Sequence, residues 1–282
     1  MPNAALLRVG IDTGLGGVWG PITSETRPGE SCGFEFIPFP AYKNCSDENL
    51  ESTAKVESYS EITGINTGRK LSDFLPKDYL HIKDKSKRTS ERWYSPKDIV
   101  PHYDPNFRHV TFADYWSSEG GRLPKAWRTL RSDEIRDLYI IFFATLARFP
   151  GNLSFDEFFE KQRFACGDYL IGSMRIRRFI PIGKNGWKSA LDLYPEEKDA
   201  LIHNFHYNQR IDPKEPVVVI GDRDHTCLAK KAIPLRVRTG PKTWRPLGIG
   251  SDLKLSIKAP LRKIKYQYDL GFVQKIMNEL HG

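Results

Sequence analysis

The sequence predicts an α+β fold: a mixed or mainly antiparallel sheet, able to close toward a barrel, with a few peripheral helices. Three observations carry this. Strand-like segments outnumber helical ones, with the strongest signals at 138–146 and 169–182; turns or irregular segments join them; and that pattern argues against a doubly wound nucleotide fold. No internal repeat and no linker divides the chain, so residues 1–282 read as a single domain.

In chain order, an apolar run at 6–12 predicts a first strand, halted by the glycine-rich turn Thr13-Gly14-Leu15-Gly16-Gly17. A second strand is expected at 34–39, where Phe34, Phe36 and Ile37 lie between turn formers. Residues 43–60 are polar and poor in aromatics and read as a surface insertion, and a second insertion is expected at residues 147–165. Within the latter, Ser154 and Glu157 have the spacing of a capping box for a helix over 155–164. Residues 83–92 contain no apolar side chain, so that stretch is solvated or bound to an anion. A helix is expected over 188–205, two separate strands at 216–220 and 233–237, and a closing amphipathic helix over 269–280. In this last helix Leu270, Val273, Met277 and Leu280 recur at helical spacing.

No apolar run reaches the roughly 20 residues of a spanning helix, and the first residues lack the basic and apolar regions of a secretory leader. A cytoplasmic location and no membrane partner are therefore expected. Cys32, Cys45, Cys166 and Cys227 form no Cys-x-x-Cys pair, which argues against structural zinc and for reduced thiols. Lys plus Arg number 43 against 35 Asp plus Glu, a net +8. Counting along the chain, residues 63–131 hold 14 basic and 8 acidic side chains (+6) and 215–282 hold 13 and 6 (+7), whereas 1–62 hold 4 and 9 (−5). Two basic blocks suit a polyanion if the fold joins them; otherwise they form a solvated face.

Four motifs can carry chemistry. Asp12 ends a strand beside Gly14, Gly16 and Gly17, and fits a tight turn, a substrate-contacting carboxylate or a phosphate loop, although no Gly-Lys-Ser/Thr follows. In Pro101-His102-Tyr103-Asp104-Pro105 an extended backbone would put both polar side chains on one face, so that Asp104 orients His102 as an acid or base. The other reading is a turn capped by Asp104. His203 and His206, with Asp222, Asp224 and His225, could share a metal. The spacing is loose, however, and equally fits hydrogen-bonded structural histidines or contacts from Asn204 and His206 to a base or phosphate, so no metal ligands are assigned. Arg175, Arg177 and Arg178 alternate with apolar residues on a strand, a pattern that either presents guanidinium groups to phosphates or lies solvated.

These motifs occur in a telling order: Gly10-Ile11-Asp12-Thr13 with Gly16-Gly17 and Gly20-Pro21-Ile22, then His102-x-Asp104-Pro105, then Asp137 through Phe143, Tyr169-Leu170-Ile171-Gly172, and Asn204-x-His206. In that order, over nearly the whole chain, the sequence resembles the third nucleotide modification associated domain family. The resemblance implies a part in a pathway that modifies bases in nucleic acid. It implies a nucleotide or nucleic acid as partner, with other modification enzymes alongside, and it specifies no cofactor. On this reading Asp12, His102 and Asp104 form the catalytic group, and Asn204, His206, Arg175, Arg177 and Arg178 bind substrate. A non-catalytic reader of modified nucleic acid and a structural subunit of a modification complex are the alternatives.

Overall fold

A computed structural model describes residues 3–9, 20–27, 29–38, 40–42, 57–75, 99–116, 121–149, 166–183, 186–204, 206–207, 216–240, 243–253, 263–268 and 270–281. The strands are β1 (Ala4–Arg8), β2 (Gly20–Pro21), β3 (Pro40–Tyr42), β4 (Ile99–Pro101), β5 (Thr111–Asp114), β6 (Tyr139–Ala147), β7 (Cys166–Pro181), β8 (Val217–Arg238), β9 (Trp244–Pro246) and β10 (Lys263–Tyr268). The helices are α1 (Ser132–Ile135), α2 (Gly186–Leu193), α3 (Lys198–Ile202), α4 (Ile249–Asp252) and α5 (Leu270–His281).

One mixed sheet runs in the order β10-β1-β6-β7-β8-β5 and curls into a half-barrel, with β2 paired to β6 and β9 to β8. β1 and β2 run parallel to β6, while the other pairings in this sheet are antiparallel. β3 and β4 form a separate antiparallel pair. The fold is thus α+β, with a few helices at the periphery of a mixed sheet.

The continuous apolar run of β6 follows from burial on both faces. Ile140, Phe142, Ala144 and Leu146 join one core with Phe34, Phe112, Trp127 and Tyr169, while Ile141 and Phe143 join a second with Val273 and Ile276 of α5. A third cluster packs α2 and α3 onto Ala113, Ile180, Val218 and Ile220. The two faces of β6 therefore each find a cover, one from loops and one from the C-terminal helix.

A buried ion pair crosses the sheet between β7 and β8. Arg236 Nε donates to Asp168 Oδ2 at 2.7 Å, and Thr145 Oγ1 donates to Asp168 Oδ1 at 2.6 Å. Burial pushes the thiol of Cys166 up to about 11 and that of Cys32 up to about 12, so both stay protonated. Among the described residues no helix is long and apolar enough to cross a membrane.

Three expectations change. Residues 34–38 are buried and Phe34 and Phe36 pack into the main core, but they form no strand: Phe34 pairs with Ile22 as an isolated bridge. Glu35 anchors this segment instead: its carboxylate accepts the N–H groups of Ile65, Asn66 and Thr67 and the Thr67 hydroxyl. The helix expected over 188–205 is broken, because Pro195 cannot donate within a helix. Its place is taken by α2, a 3-10 turn at Pro195–Glu197, and α3.

The two strands expected at 216–220 and 233–237 are parts of the single β8. Between Met174↔Thr226 and Ile176↔Gly221, β8 advances five residues (226 to 221) against two on β7 (174 to 176). The polar segment 222–225 bulges out without ending the ladder. The start of the first strand lies in β1, while its end at 10–12, the helix at 155–164, the basic stretch 83–92 and most of the two insertions lie outside the described residues. Of the first insertion, Tyr59 is described: it is buried, and its hydroxyl donates to Pro38 O at 2.6 Å.

Candidate functional site

β5 is the terminal strand of the main sheet, paired with β8 along one edge. Its other edge would expose backbone N–H groups, and polar side chains from two distant segments occupy it. The Ala113 N–H donates to Asp104 Oδ1 at 3.0 Å. Asn204 Nδ2, following α3, donates to Thr111 Oγ1 at 3.0 Å. Both anchors are buried, Asp104 at 8% exposure and Asn204 at 0%.

From these anchors the two segments turn toward each other. β4 leads into His102, and short-range bonds from Tyr103 N to Pro101 O (2.9 Å) and from Asp104 N to His102 O (2.8 Å) pinch the chain. The segment is therefore folded rather than extended, and the Asp104–Pro105 peptide is cis. On the other side, Asn204 Oδ1 accepts the His206 N–H at 3.0 Å, which sets where the imidazole begins.

The result is a three-part group. His102 Nε2 lies 3.3 Å from His206 Nε2, across 104 residues of sequence, and His206 Nε2 lies 3.4 Å from Asp104 Oδ2. The three donor atoms fall within 4.8 Å of one another. The carboxylate thus meets His206, where the sequence spacing had paired it with His102; the pinched backbone explains the change. Burial, and then the nearby His206 and Arg122, hold the His102 imidazole well below its ordinary range, so it is neutral at pH 7. Burial raises the Asp104 carboxyl, opposed by its hydrogen bond from His206.

Two neighbours of this group carry no sequence signal of their own. Arg122 Nε donates to Asp114 Oδ2 at 2.6 Å, and a second guanidinium nitrogen donates to the Arg8 carbonyl at 2.6 Å. Burial raises the Asp114 carboxyl against the pull of Arg122. Arg122 therefore brings a positive charge close to His102 while fixed by β1 and β5.

A second group was also unforeseen. His109 Nδ1 lies 3.2 Å from Asp199 Oδ2, and the His109 and His203 rings stack at 3.7 Å with 4° between planes. The Asp199/His203 spacing of four on a helix was a usable signal; the third member, 90 residues away, was not. His203 and His206 thus belong to different groups. Asp222 accepts from His225 at 3.1 Å and faces Arg175, so the five residues considered together as one metal shell are divided among three places.

The arginines of β7 are engaged within the chain. Arg177 pairs with Glu197, Arg178 pairs with Glu196 and lies over the Tyr194 ring, and Arg175 donates to the Arg136 carbonyl and faces Asp137 and Asp222. Asp12 lies outside the described residues.

Chemically, the group at β5 offers a neutral imidazole, a second imidazole hydrogen-bonded to a buried carboxylate, and a fixed cation nearby. Such a set can move a proton or hold a cation. Comparison with family models matches residues 3–259 to the one described as Nucleotide modification associated domain 3. Searches of curated proteins and of solved structures returned no significant match.

Proposed function

The chain belongs to the nucleotide modification associated domain 3 family, and on that premise we propose that it acts on a nucleotide or nucleic acid in a base-modification pathway through the His102, Asp104 and His206 group. The observation that carries the reading is the convergence of that group: polar side chains 104 residues apart meet at 3.3 Å on a frame of buried hydrogen bonds. Purely structural turns have no need to meet, and buried polar groups without packing value are a common mark of function.

In this reading His102 and His206 face the reacting part of the substrate, Asp104 holds His206, and Asn204 positions it. Asp12, which lies outside the described residues, is proposed from the sequence alone to position the substrate. The β7 arginines take a lesser part, because a phosphate would have to displace Glu196, Glu197 or Asp222 to reach them. The two basic blocks supply the attraction for a polyanion.

The test is mass spectrometry of nucleosides from cells carrying the gene, lacking it, or carrying His206→Gln. A nucleoside difference between the first two, abolished by His206→Gln, is expected. Identical profiles in all three overturn the reading.

A further inference from the structure

The distances in the group at β5 are long for hydrogen bonds but right for ligands around an ion. An N–H···N or N–H···O bond centres at about 2.9–3.0 Å, whereas the observed separations are 3.3 Å (His102 to His206) and 3.4 Å (His206 to Asp104). With metal–ligand bonds of about 2.0–2.2 Å, two ligands of a tetrahedral ion stand roughly 3.3–3.6 Å apart and two at a right angle roughly 2.8–3.1 Å. Both edges therefore fit the ligand–ligand spacing of a tetrahedral ion, and the hydrogen bond from His206 to Asp104 is a long one.

Ring orientation separates this group from the second one. An imidazole nitrogen binds an ion in the plane of its ring. The His102 and His206 rings stand at 72°, so their planes intersect and both nitrogens can address one point between them. The His109 and His203 rings are parallel to 4° and stacked at 3.7 Å, so an ion in one plane lies a full stacking distance out of the other. His203 Nδ1 also sits 2.8 Å from the Asp199 carbonyl oxygen, which makes that nitrogen a proton donor and not a ligand.

We infer that His102 Nε2, His206 Nε2 and an Asp104 carboxylate oxygen form a binding site for one divalent first-row transition ion, with its remaining coordination positions left to water or substrate. Two imidazoles and one carboxylate suit zinc, iron or cobalt and are a poor match for magnesium or calcium, which prefer all-oxygen shells. The mounting is also what a metal site requires. Asp104 is held by the Ala113 N–H, and the His206 backbone by Asn204, which is itself tied to Thr111. The inference deepens the reading above and rests on it for the purpose of the ion; the binding itself is tested independently.

Full-length protein freed of metal is titrated with cobalt chloride alone and followed by the visible bands of bound Co2+, with Zn2+ as competitor. One equivalent should bind and be displaced by Zn2+. His102→Gln and His206→Gln should each weaken binding by more than the roughly 10- to 100-fold that losing an outer hydrogen-bond partner costs. His203→Gln should leave it unchanged. Asp104→Asn keeps an oxygen to accept the Ala113 N–H but loses the carboxylate charge, and should weaken Co2+ binding as well. Absence of saturable Co2+ binding by the wild-type chain, or binding that survives His206→Gln and is lost in His203→Gln, overturns the inference. Stoichiometric binding with an unaltered nucleoside profile leaves the metal site standing while the proposed function falls.

Discussion

Asn204 is the residue on which the geometry of the candidate site depends without being one of its three donors, and replacing it gives a quantitative test. Its side chain is fully buried; Nδ2 donates to Thr111 Oγ1 and Oδ1 accepts from the His206 N–H, both at 3.0 Å. Asn204→Ala removes both bonds. A buried group that loses its partner costs about 1–3 kcal/mol, so the two together should cost about 2–4 kcal/mol after partial relaxation. At roughly 2–4 °C per kcal/mol for a chain of this size, Tm should fall by about 5–15 °C. Asn204→Leu keeps the branched four-atom outline of the side chain and removes the same bonds without opening a cavity, while its larger methyl groups add some crowding. Urea unfolding followed by tryptophan fluorescence measures both variants, and cobalt titration reads the placement of His206. Both variants should lose comparable stability and bind Co2+ more weakly. A loss below about 0.5 kcal/mol in Asn204→Ala, or wild-type stability in Asn204→Leu, would show that the two hydrogen bonds do not hold the site.

Three more predictions concern other parts of the molecule. Arg236→Met removes the nearer of the two cations facing the buried Asp168 carboxylate, leaving Arg8 at 3.8 Å, and should destabilise the fold by about 3 kcal/mol in urea unfolding, with Asp168→Asn in the same chain recovering part of the loss. Asp199 has its carboxyl lowered, first by the hydrogen bond from His109, so it stabilises the fold above its unfolded pKa near 4 and loses that effect as pH falls through the lower folded value. The Tm deficit of Asp199→Asn should be present at pH 6 and shrink progressively as the pH is lowered past the unfolded pKa near 4; a constant deficit refutes the linkage. Nucleic acid binding, measured by fluorescence anisotropy, should weaken linearly on a log–log plot of affinity against salt, and no binding at low salt would remove the polyanion partner.

Sequence legibility followed the locality of each signal. β6 and β7 could be read because burial on both faces writes itself as an unbroken apolar run. The break expected within β8 had a real cause, since Gly221 and Asp222 do mark a departure, but whether a polar stretch ends a strand or bulges from it is decided by the partner strand. Pro195 sits in the middle of the expected helix, where its missing N–H splits the helix in two.

At the site, His102-x-Asp104 and Asn204-x-His206 were conspicuous as short polar motifs at the ends of regular elements. Their internal pairing was not, because Asp104 meets His206 only after the backbone pinches between Pro101 and Asp104. The arginines of β7 looked available because their partners, Glu196 and Glu197, belong to the turn that Pro195 creates 18 to 20 residues later. His109 carries no motif at all, and only the fold sets it on His203.

The central claim is that His102, Asp104 and His206 compose one ion-binding centre at the outer edge of β5. Anomalous diffraction from crystals of the full chain grown with cobalt, collected on both sides of the cobalt edge, tests it most directly. The account predicts one strong peak about 2.0–2.2 Å from His102 Nε2, His206 Nε2 and an Asp104 carboxylate oxygen. No peak there, or a peak instead between His109, Asp199 and His203, would contradict it.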